Sequence, residues 1–223
     1  MLSPFGWSAL AVLALYLALF FWGGVSAARA AGRPIWLFGR ATGRDRLVAA
    51  GFRAAFAIAF LGPLIWLASP PVQNADPFWA DGGLPLLSFA GHLLAILGAI
   101  IAFAAQMSMG ASWRVGVDPT AVGELVSGGL YRISRNPTFL GQLLLLVGIA
   151  LAIPSVPTAL AALLFWASAS IQIRSEERLL SQELGRPYDE FRERVPRWAA
   201  FRHWGEGSKS ASTRNTHIAE ING

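Results

Sequence analysis

Over most of this chain the apolar residues neither alternate nor keep to one face of a helix. They run on for about twenty positions at a time, the length a helix needs to cross a bilayer core of about 30 Å. The runs extend from Pro4 to about Ala28, then over about Leu47–Ala68, Leu84–Gln106, Thr138–Ile153 and Pro157–Ile173. The first follows Met-Leu-Ser with no positive region ahead of it and is too long for a signal-peptide core, so it reads as a retained helix. The last two are short, and Pro154-Ser155-Val156-Pro157 between them predicts a tight turn and a helical hairpin. From about Arg174 to Val195 the pattern changes. Leu179, Leu180, Leu184, Tyr188 and Phe191 form an apolar stripe among Glu176, Glu177, Glu183, Asp189, Glu190 and several arginines, which predicts an amphipathic helix interrupted at Gly185-Arg186-Pro187. Residues 205–223 lack a periodic apolar face and read as a disordered tail.

The expected fold is therefore an all-α integral membrane protein. It has five transmembrane helices ending in a hairpin, a cytoplasmic interfacial loop and an amphipathic C-terminal helix. Residues 1–204 form one domain with no room for a separate soluble catalytic unit, so an active site must be built from helix ends and the segments between them.

Composition agrees: 54% of the 223 residues are hydrophobic and 14% charged, against about 25% charged in an ordinary soluble domain. There are 18 Lys+Arg against 13 Asp+Glu, and every cation except Lys209 is arginine. That basicity follows the loops of a membrane protein rather than marking a nucleic-acid site. Arg29, Arg33, Arg40, Arg44 and Arg46 lie after the first run, and Arg114, Arg132 and Arg135 after the third. A larger group follows residue 173, while segments 69–83 and 154–157 have no cation. This puts the N-terminus outside and the C-terminus and active site in the cytoplasm, in a membrane of the cell inner-membrane type. With no cysteine, disulfides, thiolate metal sites and cysteine nucleophiles are excluded.

Polar residues inside the runs are costly and therefore informative. Arg53 is placed to snorkel, and His92 to make an interhelical hydrogen bond. Gln106, Gln142 and Gln172 complete the set. His203 and His217 lie far from His92, so neither a metal cluster nor a Ser-His-Asp arrangement is expected, and Gly128-Gly129 is too short for a phosphate loop. The dense region is cytoplasmic: Met109 to Asp118, including Trp113 and Arg114, and then Glu124 to Gly141. Here Tyr131 and Phe139 offer π faces, and Arg135-Asn136-Pro137 sets a cation, an amide and a helix-starting proline at the membrane surface.

This region resembles the isoprenylcysteine carboxyl methyltransferase family. The family's hallmark appears as Leu125-Val126, Gly129, Tyr131, Arg135-Asn136-Pro137, Phe139 and Gly141, then Glu176-Glu177, then Gly185, Tyr188, Phe191 and Val195-Pro196. Order and spacing both match over about residues 106–198. Many members carry His in place of Asn136 and Tyr in place of Phe139, and the eukaryotic enzymes have a substrate-contacting arginine where Gln172 stands.

The resemblance implies S-adenosylmethionine (SAM) bound at the cytoplasmic helix ends, and a lipophilic or lipidated substrate entering from the bilayer. Leu125, Val126, Tyr131, Asn136, Pro137 and Phe139 would line the cofactor pocket, and Glu176 would contact the cofactor's polar end. Gln172 and Trp113 fall on the substrate side, and Arg135, Arg114 or Arg174 would supply a catalytic cation. Membrane lipids are the only other partner expected, with no metal and no nucleic acid. A sulfonium is already an activated leaving group, so methyl transfer needs alignment and exclusion of water more than acid–base groups, and the scarcity of histidine is no obstacle. A carboxylate acceptor is the leading reading. Alternatives are a phospholipid amine, a thiol or a small lipophile on the same architecture, a nicotinamide-dependent reductase of sterol type, and a membrane scaffold or permease.

Overall fold

In the computed structural model, residues 1–32, 43–79, 84–110 and 125–199 are described. They form seven α-helices: α1 (Pro4–Ala31), α2 (Gly43–Ala68), α3 (Pro70–Ala75), α4 (Pro85–Met109), α5 (Pro137–Ala152), α6 (Val156–Leu184) and α7 (Arg186–Arg194), with a 3₁₀ turn over Gly129–Arg132. Proline marks most of the starts, because its missing N–H costs nothing in the first helical turn. Ser3 caps α1 by accepting from the Gly6 N–H at 3.0 Å.

Four helices are long and apolar enough to cross a membrane: α1, α2 from Asp45, α4 and α6. The remaining apolar helix, α5, has 16 residues and so spans about 24 Å. The amphipathic segment expected from Arg174 onward is not a separate helix. No glycine or proline separates Ile173 from Leu184, so α6 carries on through it without a break. The expected interruption lies at Gly185, whose φ of 60° and ψ of −135° suit glycine, and α7 turns off there. Helix α3 was not expected; Pro70 and Pro71 open it and Asp76 ends it.

Two antiparallel pairs make the bundle. Helices α4 and α5 touch backbone to backbone: a Cβ added at Gly98 would stand 2.3 Å from the Leu145 nitrogen, and one at Gly148 would stand 2.4 Å from the Ala95 nitrogen. Such contact is the usual means of helix association where lipid offers no hydrophobic drive. The second pair is α2 and α6, in which Gly51 faces Ser168 and Gly62 faces Pro157. Helix α1 lies parallel to α4 and is tied to it by Ser8 and the His92 Nδ1, 3.0 Å apart, and by the Gln106 Nε2, which donates to the Phe20 carbonyl at 2.9 Å. The interhelical bond expected of His92 is thus present, and Arg53 is exposed. One core runs through all five long helices, with Leu13, Tyr16, Leu145, Ile149 and Phe165 fully buried.

At one end of the bundle Asp76 gathers three donors, the Trp66 Nε1 at 2.7 Å and the Phe78 and Val156 N–H groups at 2.8 Å, which caps the start of α6. The C-terminal ends of α1, α4 and α6 and the N-terminal ends of α2 and α5 meet at the opposite end. The chemistry-bearing segments converge there.

Candidate active site at the bundle end

Three segments distant in sequence meet at the start of α5. The first is 125–136, which leaves Gly128, passes through the 3₁₀ turn carrying Tyr131, and enters α5 at Asn136-Pro137. The second is the outer part of α6, with Glu176 and Glu177, and the third is Val195–Trp198 beyond α7. Segment 195–198 is stitched to the first by its backbone. The Arg135 N–H donates to the Pro196 carbonyl at 2.9 Å. The Arg197 carbonyl accepts from Asn136 Nδ2 at 3.0 Å and from Ser134 Oγ at 3.3 Å. Ser134 Oγ in turn accepts the Asn136 N–H at 3.0 Å, which fixes the turn into α5.

Glu177 is the electrostatic centre. Its side chain is 8% exposed and lies between two cations. The Arg197 Nε donates to both carboxylate oxygens at 3.1 Å, and its Nη2 to Oε2 at 2.6 Å. The Arg135 Nη2 approaches Oε1 at 3.1 Å. A buried carboxylate needs such partners. Arg135 is 9% exposed and its Nε and Nη1 are buried with no acceptor among the described residues. The Glu177 carboxylate holds Arg197 still more firmly in its charged form.

An apolar layer backs this cluster. Tyr131, Tyr188, Phe191 and Val195 are buried together, with Leu125, Val126, Leu180, Leu184 and Met109 packed against them. Burial holds the Tyr131 hydroxyl well above the usual phenol range, and the charge of Glu176 acts in the same direction. Burial likewise pushes Tyr188 up to about 12; the Glu177 charge adds to this and the Arg135 cation opposes it. Both rings are therefore neutral at physiological pH, with a polarisable face and a hydroxyl donor.

Of the residues expected at the site, Leu125, Val126, Tyr131, Arg135, Asn136, Pro137 and Glu176 meet at this end of the bundle. Phe139 does not join the apolar layer. It stacks on Phe52 of α2, with centroids 5.6 Å apart and planes at 19°, inside the transmembrane core. Gln172 is buried about one turn of α6 inward from Glu176, and Arg174 points to the exposed side. Trp113 and Arg114 lie outside the described residues, as does the tail 205–223. Arg197 is the residue that sequence reasoning missed. It follows Val195-Pro196 directly but carries no spacing relation to Arg135 or Glu177. Among the described residues no group of three or more His, Cys, Asp or Glu is placed to hold a metal.

Residues 86–186 match the family model described as phospholipid methyltransferase. A protein-S-isoprenylcysteine O-methyltransferase B of Arabidopsis thaliana is 31% identical over 118 residues, covering 52% of this chain and 60% of the relative. A probable protein-S-isoprenylcysteine O-methyltransferase of Oryza sativa subsp. indica is 29% identical over 112 residues, 49% of this chain and 59% of the relative. The chain thus spans about six tenths of the length of the curated relatives it matches. The fold is similar to a solved eukaryotic intramembrane Ras methyltransferase, an isoprenylcysteine carboxyl methyltransferase. The TM-score is 0.54 and the identity 17%, over 84% of this chain and 66% of that one. These likenesses bear out the resemblance read from the motif.

Proposed function

We propose that this chain is a membrane-embedded methyltransferase of the isoprenylcysteine carboxyl methyltransferase type, using SAM to methylate a carboxylate on a lipophilic substrate reached from the bilayer. The observation that carries the reading is the convergence, at one end of a helical bundle, of hallmark residues from three distant segments: Leu125-Val126, Tyr131 and Arg135-Asn136-Pro137, then Glu176-Glu177, then Val195-Pro196.

The residues present fit SAM. Arg135 has buried donors without an acceptor among the described residues, suited to a carboxylate. Glu176 is half-buried and acidic, suited to an ammonium. The neutral Tyr131 ring suits a sulfonium by cation–π contact, worth about 0.5–2 kcal/mol. Leu125, Val126 and Pro137 supply an apolar wall that keeps water out. When bound, SAM supplies an electrophilic methyl group, and the protein's part is to align the acceptor with it and hold both dry. Tyr131 and Tyr188 hold their protons there and act as donors, not bases. From the resemblance we carry over Gln172 and Trp113 as substrate-side residues and Arg114 and Arg174 as further cations. Phe139, a cofactor residue by the resemblance, packs on Phe52 and contributes by holding the first turn of α5 against α2.

In this reading α1, α2, α4, α5 and α6 all cross the membrane, consistent with their alternating directions. The arginine-rich loops and the site are cytoplasmic, in an inner-membrane-type bilayer, and the N-terminus is outside. Methyl transfer from radiolabelled SAM to N-acetyl-S-farnesylcysteine by the detergent-purified chain tests the proposal, and a carboxyl methyl ester is the expected product. The match of residues 86–186 to the phospholipid methyltransferase model favours a second reading, transfer to a lipid amine. Label entering phosphatidylethanolamine instead would select it.

A further inference from the structure

We infer that Arg197 is a positioning residue that keeps Arg135 available to a carboxylate of the reaction; this rests on the methyl-transfer reading above. The argument is one of competition for Glu177. That carboxylate has two oxygens and lies within reach of two guanidinium groups, each able to take both oxygens at once. Arg197 takes both, with three contacts of 2.6–3.1 Å, while Arg135 reaches one oxygen through Nη2 alone. The Glu177 carboxylate is thus paired mainly with Arg197, and Arg135 keeps most of its donors for another partner. Two Arg135 donors, Nε and Nη1, are held out of water with no acceptor among the described residues. Leaving buried donors unpaired is unfavourable, and an incoming carboxylate removes that cost.

Without the Arg197 guanidinium, Glu177 would turn to Arg135, its remaining cation among the described residues, engage it in a two-pronged pair and neutralise it. The backbone of Arg197 fixes the other side of the same arrangement, since its carbonyl holds the Asn136 amide and the Ser134 hydroxyl. A change of side chain at 197 leaves those carbonyl bonds in place, so the two contributions are separable.

The ligand chemistry is a carboxylate, whose source is either the amino-acid end of the cofactor or the acceptor substrate. The detergent-purified chain is titrated calorimetrically with S-adenosylhomocysteine and with its decarboxylated analogue. In parallel, N-acetyl-S-farnesylcysteine and its neutral carboxamide are compared, the first by KM and the second as a competitive inhibitor. Arg197→Gln is expected to weaken one carboxylate ligand about tenfold or more, the scale of a lost charge-assisted bond, while its carboxyl-free counterpart is unaffected. The pair that responds names the source. Arg197→Lys, which cannot hold both oxygens in the same fork, falls between. The double variant Arg197→Gln/Glu177→Gln removes the competing carboxylate and recovers affinity, which a merely structural role for Arg197 does not predict. Equal weakening of charged and neutral ligands, unchanged affinity in Arg197→Gln, or no recovery in the double variant overturns the inference and leaves the methyl-transfer reading intact. Failure of the unmodified chain to bind S-adenosylhomocysteine defeats both.

Discussion

The Gln142 side chain of α5 donates a 2.7 Å hydrogen bond to the Tyr16 hydroxyl of α1 in the interior of the bundle, where both side chains are buried. A polar pair in this position ties the first helix to the helix that carries Asn136 and Pro137 at its start. Tyr16→Phe keeps the ring packed against Phe20 and Phe56 and removes only the hydroxyl. It is expected to lower stability by about 1–2 kcal/mol, read as a lower melting temperature in detergent, since the Gln142 amide is left without its partner.

The seam between α4 and α5 sets the position of the site more rigidly. A Cβ at Gly98 meets the Leu145 backbone nitrogen at 2.3 Å, and backbone cannot swing aside as a side-chain tip does. Gly98→Ala is therefore expected to cost at least about 1–3 kcal/mol by forcing the helices apart. It also shifts the α5 entry that carries Arg135, so SAM affinity falls together with the melting temperature. Gly128→Ala, with open space around its Cβ and an ordinary extended backbone (φ −92°, ψ 173°), leaves the seam untouched and serves as the control for the melting temperature.

Much of this was legible in the chain. Uninterrupted apolar runs marked the long helices because a bilayer-spanning helix has no polar face, and Pro4, Pro85 and Pro137 marked their starts. The segments of the site were visible through the spacing of Tyr131, Arg135-Asn136-Pro137 and Glu176-Glu177. The Gly91/Gly98 and Gly141/Gly148 spacings were also present, but a glycine pair shows its meaning only when the facing helix is known. The fusion of the amphipathic segment into α6 was hidden because a change from apolar to charged residues alters the helix's surroundings, not its backbone preference. Arg197 was hidden for a different reason. Its bonds to Glu177 and its contact with Asn136 join three segments whose proximity arises from the turn at Gly185, and no local rule links them.

Alkaline stability carries a signature of the apolar layer. Tyr188 is pushed up to about 12 in the folded chain, against about 10 for an exposed tyrosine. Its raised value favours the folded state fully below pH about 10, and that contribution is lost as the pH climbs from about 10 to about 12, since the unfolded chain ionises first. Tyr188→Phe is expected to show a shallower stability loss over that window than the unmodified chain, measured by thermal unfolding across alkaline pH. An identical loss in both proteins would place the tyrosine in contact with solvent.

The acceptor can be classed by pH. A carboxylate is ionised throughout pH 6–8, whereas an amine with a pKa of about 10 must lose a proton before it can attack. Single-turnover methyl transfer is expected to be nearly flat across that range. A rise of about tenfold per pH unit would assign an amine acceptor and leave the cofactor site standing.

The cofactor site itself is tested most directly by equilibrium binding of SAM to the detergent-purified chain, with NADPH titrated alongside. The account predicts that SAM binds and NADPH does not. It also predicts that Glu176→Ala weakens SAM by about 1–3 kcal/mol, the cost of leaving a charged partner unpaired. Binding of NADPH without SAM would contradict the account, because the same bundle end would then serve a reductase and not a methyltransferase.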